Sequence, residues 1–292
     1  TLASMSLIWQ RIFLTVGIFI AVFAVRFLLP IAIVMFASGL NFDEVVSMAL
    51  NNPERYSHVL HDASPMINAF GGIFLLMIGL SYFVDYNKQI HWVRGVEPWL
   101  ARAGKFENFR ACLILLVMVI LYFTVEEKYK AMILISSVLG TLLHIGLELF
   151  GSLFGSHSSK DIKLKTGWAA FAAFLYLEVL DASFSFDGVI GAFAITSSVI
   201  LITSGLSAGA IWVRSLTIYL MRSGTLSKYR YLEHGAHWAI VALGIMMLFK
   251  LFHVELPEWI TGSLGLAFII LAIGSSVIEA RHSKNTKNLQ SS

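Results

Sequence analysis

Residues 168–196 read WAAFAAFLYLEVLDASFSFDGVIGAFAIT. The run is long and apolar enough to cross a bilayer, which takes about 20 residues of helix. Yet it carries Glu178, Asp181 and Asp187. Carboxylates are costly at that depth, so they face a cavity, a partner or an ion. Glu178 and Asp181 are three apart and share a helix face, about 4.5 Å apart along the axis. Asp187 would point elsewhere on a straight helix. Gly188 and Gly191 offer a place to unwind. A broken acidic helix is therefore expected, with Asp187 swung back toward the pair and backbone carbonyls exposed.

The rest of the chain resembles this segment in character. Of its 292 residues 57% are hydrophobic and 13% are charged, about half the charged share of a soluble domain. Eight spans are expected, at 12–36, 66–84, 109–125, 131–153, 168–196, 199–221, 236–252 and 259–279. Backbone in lipid must satisfy its own hydrogen bonds, and the alternation of a membrane barrel is absent. The fold class is thus an all-α polytopic membrane protein. The sole cysteine, Cys112, excludes an intramolecular disulfide and reads as a packing residue in an apolar run. The tail, 281–292, reads as disordered.

Lysine and arginine set the orientation. Fifteen lie before the first span, in the loops 85–110, 154–167 and 222–235, and in the tail; only Arg55, Lys128 and Lys130 lie in the opposite loops. Both ends of this chain are expected in the cytoplasm, in a bacterial inner membrane. The basic loops are ordinary topology signals, so no nucleic-acid partner is expected; the partners are membrane lipid and a metal ion.

The chain also matches itself. At an offset of 188, Ile12, Thr15, Gly17, Val25, Arg26 and Leu28 fall on Ile200, Thr203, Gly205, Val213, Arg214 and Leu216. At an offset of 173, His61, Ala63, Ile67, Ala69, Gly71 and Leu75 fall on His234, Ala236, Ile240, Ala242, Gly244 and Leu248. The offset changes because the first copy holds a longer loop, 41–55. The first span maps onto the sixth, five spans later, so the copies are inverted in the membrane, a transporter architecture. The division expected is a partial first repeat at 9–84, a connector with two spans at 85–167, a second repeat at 168–252 and a final span at 259–279. Residue 1 aligns just after Asp187-Gly188, so a further acidic helix is expected ahead of it.

Two anions this close repel, and a proton or a cation resolves them. Carboxylates, carbonyls and the hydroxyls of Ser183 and Ser185 suit a hard divalent cation such as Mn²⁺, Ca²⁺ or Mg²⁺ better than zinc. The metal ligands expected are Glu178, Asp181 and Asp187. Arg26 and Arg214, inside spans, are the candidate charge partners, and a purely structural salt bridge to them is the competing reading. His144 and Glu148, four apart on one face, are secondary polar candidates, as are Asn68 and His234; interhelical hydrogen bonding would explain them equally.

The motif Glu178-x-x-Asp181-Ala182-Ser183-Phe184-Ser185-Phe186-Asp187-Gly188 resembles the signature of the DUF475 branch of the TerC-like integral membrane proteins. So do Ile211-Trp212-Val213-Arg214-Ser215-Leu216-Thr217, Tyr231-Leu232-Glu233-His234-Gly235-Ala236-His237-Trp238 and the stretch from Asn68 to Met77. In that family an earlier helix bears a second acidic motif. The TerC group is tied to tellurium resistance and manganese efflux, so the resemblance implies Mn²⁺ export, with Glu178, Asp181 and Asp187 as ion ligands. The expectation is a secondary transporter with the cation as cargo and no cofactor, since no GxxxxGK[ST] motif is present. The alternative is a non-transporting scaffold of a tellurite or metal-stress resistance complex, which would partner other membrane or cytoplasmic stress proteins. No enzymatic activity is expected: an intramembrane aspartyl protease would need a second aspartate in a GxGD-type motif.

Overall fold

The computed structural model describes residues 2–106, 108–154, 164–224, 228–252, 254 and 257–290. Among them the secondary structure is helical, apart from an isolated bridge between Met5 and Lys165. Seven helices among the described residues are long and apolar enough to cross a membrane. We number helices α1 Leu7–Ser38, α2 Phe42–Asn51, α3 Pro53–Asp62, α4 Ser64–Phe83, α5 Val96–Ala103, α6 Phe109–Thr124, α7 Lys130–Phe154, α8 Gly167–Ile195, α9 Val199–Arg222, α10 Leu232–Lys250 and α11 Glu258–Gln290. The expected third span is α6, whose 16 residues rise about 24 Å, short of a full bilayer core. Large apolar side chains such as Phe36, Phe123, Ile195 and Trp212 stand exposed, as they would facing lipid. The protein is an all-α polytopic membrane protein.

Three expectations are corrected. First, α8 is one unbroken α-helix of 29 residues through Gly188 and Gly191. Its hydrogen bonds continue because glycine permits a break without requiring one; the chain turns only after Ile195. The irregular helix is instead α1, where Ile20–Leu28 forms a π-helix between two α-helical parts. Second, α11 continues to Gln290, where a disordered tail was expected. Third, Cys112 is exposed, on the outer face of α6.

Contacts divide the chain into two units, Thr1–Gly71 with Ala131–Tyr219, and Gly72–Lys130 with Leu220–Ser292. The first unit therefore holds parts of both expected repeat copies. Its long loop, 41–55, is not irregular. Asn41 and Glu44 form a reciprocal capping box at the start of α2, with the Asn41 N–H donating to Glu44 Oε2 at 2.9 Å. Asn52 Oδ1 accepts from the Arg55 N–H at 3.3 Å, and Pro53 opens α3, where it loses no helical hydrogen bond. The apolar faces of α2 and α3 bury Val45, Tyr56 and Leu60 with Ile31 and Val34 of α1, Ile67 of α4 and Val189 of α8.

In the second unit α10 and the Gly72–Phe83 part of α4 approach backbone to backbone. A Cβ on Gly244 would lie 3.0 Å from the Gly72 carbonyl oxygen. Small residues allow such contact where no hydrophobic effect drives helices together.

A buried charge cluster

The first unit gathers four charged side chains from three helices. Glu178 and Asp181 lie one turn apart on α8. Arg214 reaches them from α9: its Nη1 donates to Glu178 Oε1 at 2.8 Å, and its Nη2 to Glu178 Oε2 at 2.8 Å and Asp181 Oδ2 at 2.9 Å. The fork is bidentate, the geometry that suits guanidinium to carboxylate. Arg26 approaches from α1, its Nη1 3.8 Å from Asp181 Oδ2, while donating to the Ala21 carbonyl at 2.8 Å. Ala21 is within the π-helix, and Arg26 in its last turn. Glu178 is 5% and Arg214 4% exposed, whereas the Asp181 side chain is 32% exposed. Asp181 is thus the open edge of the cluster.

α1 closes the other side. The Arg214 guanidinium lies 4.5 Å from the centre of the Phe13 ring, a cation–π arrangement, and its Nη1 is 3.4 Å from the Phe13 carbonyl oxygen. One turn on, Gly17 leaves room for the ion pair: a Cβ there would overlap Arg214 Nη1 and come within 2.6 Å of Glu178 Oε1.

Arg26 and Arg214 fall on one another at the 188-residue offset of the sequence, and both converge on the same carboxylate. Two acids meet two arginines, so the four side chains sum to zero charge. Pairing of this kind offsets the desolvation of ions; removing one partner of a buried pair costs about 3–5 kcal/mol. Not every donor is met: Arg26 Nε and Arg214 Nε are buried with no hydrogen-bond partner among the described residues.

The other expected residues fall differently. Asp187 is in α8, but its side chain lies outside the described part of the structure. On the unbroken helix its Cα stands about half a turn round from that of Glu178. Ser183 Oγ donates to its own helix at Val179 O, 2.9 Å, and Ser185 Oγ is buried without a hydrogen-bond partner among the described residues. Among the described residues no group of three or more His, Cys, Asp or Glu is placed to hold a metal; the carboxylate oxygens face guanidinium instead. His144 and Glu148 do meet on α7, Nε2 to Oε2 3.8 Å. Asn68 is buried, its Oδ1 unpartnered among the described residues.

His234 belongs to a cluster in the second unit. It is 3% exposed, and its Nε2 donates to the Ile90 carbonyl at 2.9 Å. With that nitrogen protonated, Nδ1 accepts from the Tyr82 hydroxyl at 3.3 Å. Glu97 Oε2 stands 3.5 Å from Nε2. Glu97 is the site residue that sequence reading missed. It is 1% exposed and accepts from the Trp92 N–H at 2.7 Å and Trp238 Nε1 at 2.9 Å. A signal was present, because Glu97, Leu100 and Ala101 share the buried face of α5.

Fold and charge cluster together define a polytopic helical membrane protein with acidic and basic side chains paired between its long apolar helices. The chain belongs to the DUF475 family, described as a protein of unknown function, which it matches over residues 1–283. No curated protein and no solved structure matches it.

Proposed function

We propose that the protein is a secondary transporter that exports a divalent cation, manganese foremost, from the cytoplasm of a bacterial cell, its C-terminus on the cytoplasmic side. One observation carries the reading: two carboxylates at membrane depth are gathered on one guanidinium, with Asp181 left partly open. Ionisable groups so placed mark ion pathways. Carboxylate oxygens are the ligands hard cations prefer, and the resemblance to TerC-like proteins favours Mn²⁺ among them. Arg214 holds the oxygens that the cation would take, so ion binding and the Glu178–Arg214 pair exclude each other. The arginine keeps the acids neutralised between turnovers, and Glu178 binds the ion or exchanges a proton when Arg214 leaves.

The complete engagement of Glu178 by Arg214 favours a second reading, a non-transporting scaffold of a metal-stress complex. Gradient-driven uptake of Mn²⁺, Ca²⁺ and Mg²⁺ into liposomes bearing the full chain separates the two. Transport predicts Mn²⁺ uptake above protein-free vesicles, falling at least about tenfold in Glu178→Gln and Asp181→Asn, a change of about 1.4 kcal/mol in the barrier. Flux at the protein-free level for all three ions overturns transport. The scaffold then predicts that changes in the loops 85–110 and 222–235, not at the acids, impair metal resistance in cells.

A further inference from the structure

The cluster around His234 is not used by the proposed transport site, and it holds the loop 85–95 in place. His234 binds the Ile90 carbonyl, and Glu97 binds the Trp92 N–H together with Trp238 of α10. Lys88 adds a third hold of a different kind. Its Nζ is buried, has no hydrogen-bond partner among the described residues, and lies 3.1 Å from the centre of the Tyr82 ring. The His237 ring stacks on Tyr82 at 3.6 Å with 6° between planes. Both cannot occupy one face at those distances, so Tyr82 is sandwiched between imidazole and amine. Two of these holds are hydrogen-bonded, whereas the Lys88 hold rests on an amine with no acceptor.

We propose that Lys88 is the release of a proton-controlled clasp: as a neutral amine it seats on Tyr82 and holds the loop 85–95 against α10, and on taking up a proton it lets that part of the loop go. A seated ammonium would gain from the ring face, and from the negative charge of Glu97, Glu233 and Asp85. Burial outweighs these gains, and pushes the amine from its ordinary 10.5 down to about 8. The released lysine therefore holds its proton more tightly than the seated one. Between about 8 and 10.5 the seated form gains on the released form as the pH rises, by up to about tenfold per unit for one proton. Below about 8 both forms are protonated and seating levels off at its weakest. The groups facing Lys88 are Tyr82 of α4, Asp85 of the loop, Glu97 of α5, and Glu233, His234 and His237 of α10.

The test places a nitroxide on the exposed loop position as Gln89→Cys, in a Cys112→Ser background of the full chain in lipid nanodiscs, and follows its mobility. The mobile fraction is expected to fall several-fold from about pH 7 to about pH 10. Lys88→Met, which cannot be charged, is expected to hold the label immobile throughout; Lys88→Arg, which cannot be discharged, to leave it mobile throughout. Mobility that does not change with pH in the Lys88 protein, or a pH response that persists in either variant, overturns the proposal. The second outcome would assign the titration to the histidines or carboxylates of the cluster.

Discussion

Gly17 and Gly205 fall on one another at the 188-residue offset of the sequence, but of the two Gly17 alone faces the Glu178–Arg214 pair. A Cβ at Gly205 meets nothing within 4 Å. Gly17→Ala is therefore expected to displace Arg214 and lower stability by about 1–3 kcal/mol, as overpacking does. Gly205→Ala should be neutral or slightly stabilising, since alanine favours the helix by up to about 1 kcal/mol. Thermal unfolding of the two variants in detergent measures the difference; equal midpoints would mean that α1 yields at no cost. The acids and both arginines of this site were legible in the sequence, because charge inside an apolar run stands out. Which acid met which arginine was not, since a period of 3.6 places a residue on a face without naming the helix opposite. Glu97 was hidden for the converse reason: the sequence reads 85–110 as a polar loop, where a carboxylate looks ordinary, and the structure makes 96–103 a helix with Glu97 on its buried face.

At the scale of elements, apolar length located the long helices, because lipid leaves the backbone no alternative to internal hydrogen bonds. Local geometry was less legible. Two glycines suggested unwinding in α8, which stays regular, while nothing in Ile20–Leu28 announced a π-helix. The capping box was a signal left unread: Asn41 and Glu44 stand at the spacing that starts a helix. Asn41→Ala is expected to cost about 1 kcal/mol and to speed amide exchange within residues 42–51, with exchange in α3 less affected. Unchanged exchange in α2 would show that its apolar face alone holds it.

At the scale of the whole molecule, the distribution of lysine and arginine and the parity of the spans make a joint prediction. Single cysteines at Glu54 and at Gln89, each in a Cys112→Ser background, should label from opposite sides of the membrane in intact cells: Glu54→Cys with an impermeant reagent from outside, Gln89→Cys only after permeabilisation. Labelling of both from one side would mean that α4, the span between them, does not cross.

The four charges held by α1, α8 and α9 cancel. A voltage across the membrane therefore exerts no net pull on the cluster while the fork is closed. On the proposed transport, an ion passing there would meet the electric field with its own charge alone, about 2.3 kcal/mol per unit charge per 100 mV. The proposed export of a divalent cation against an inside-negative potential would then be uphill by twice that amount, about 4.6 kcal/mol per 100 mV, a cost that protons moving inward with the field in the same cycle would offset.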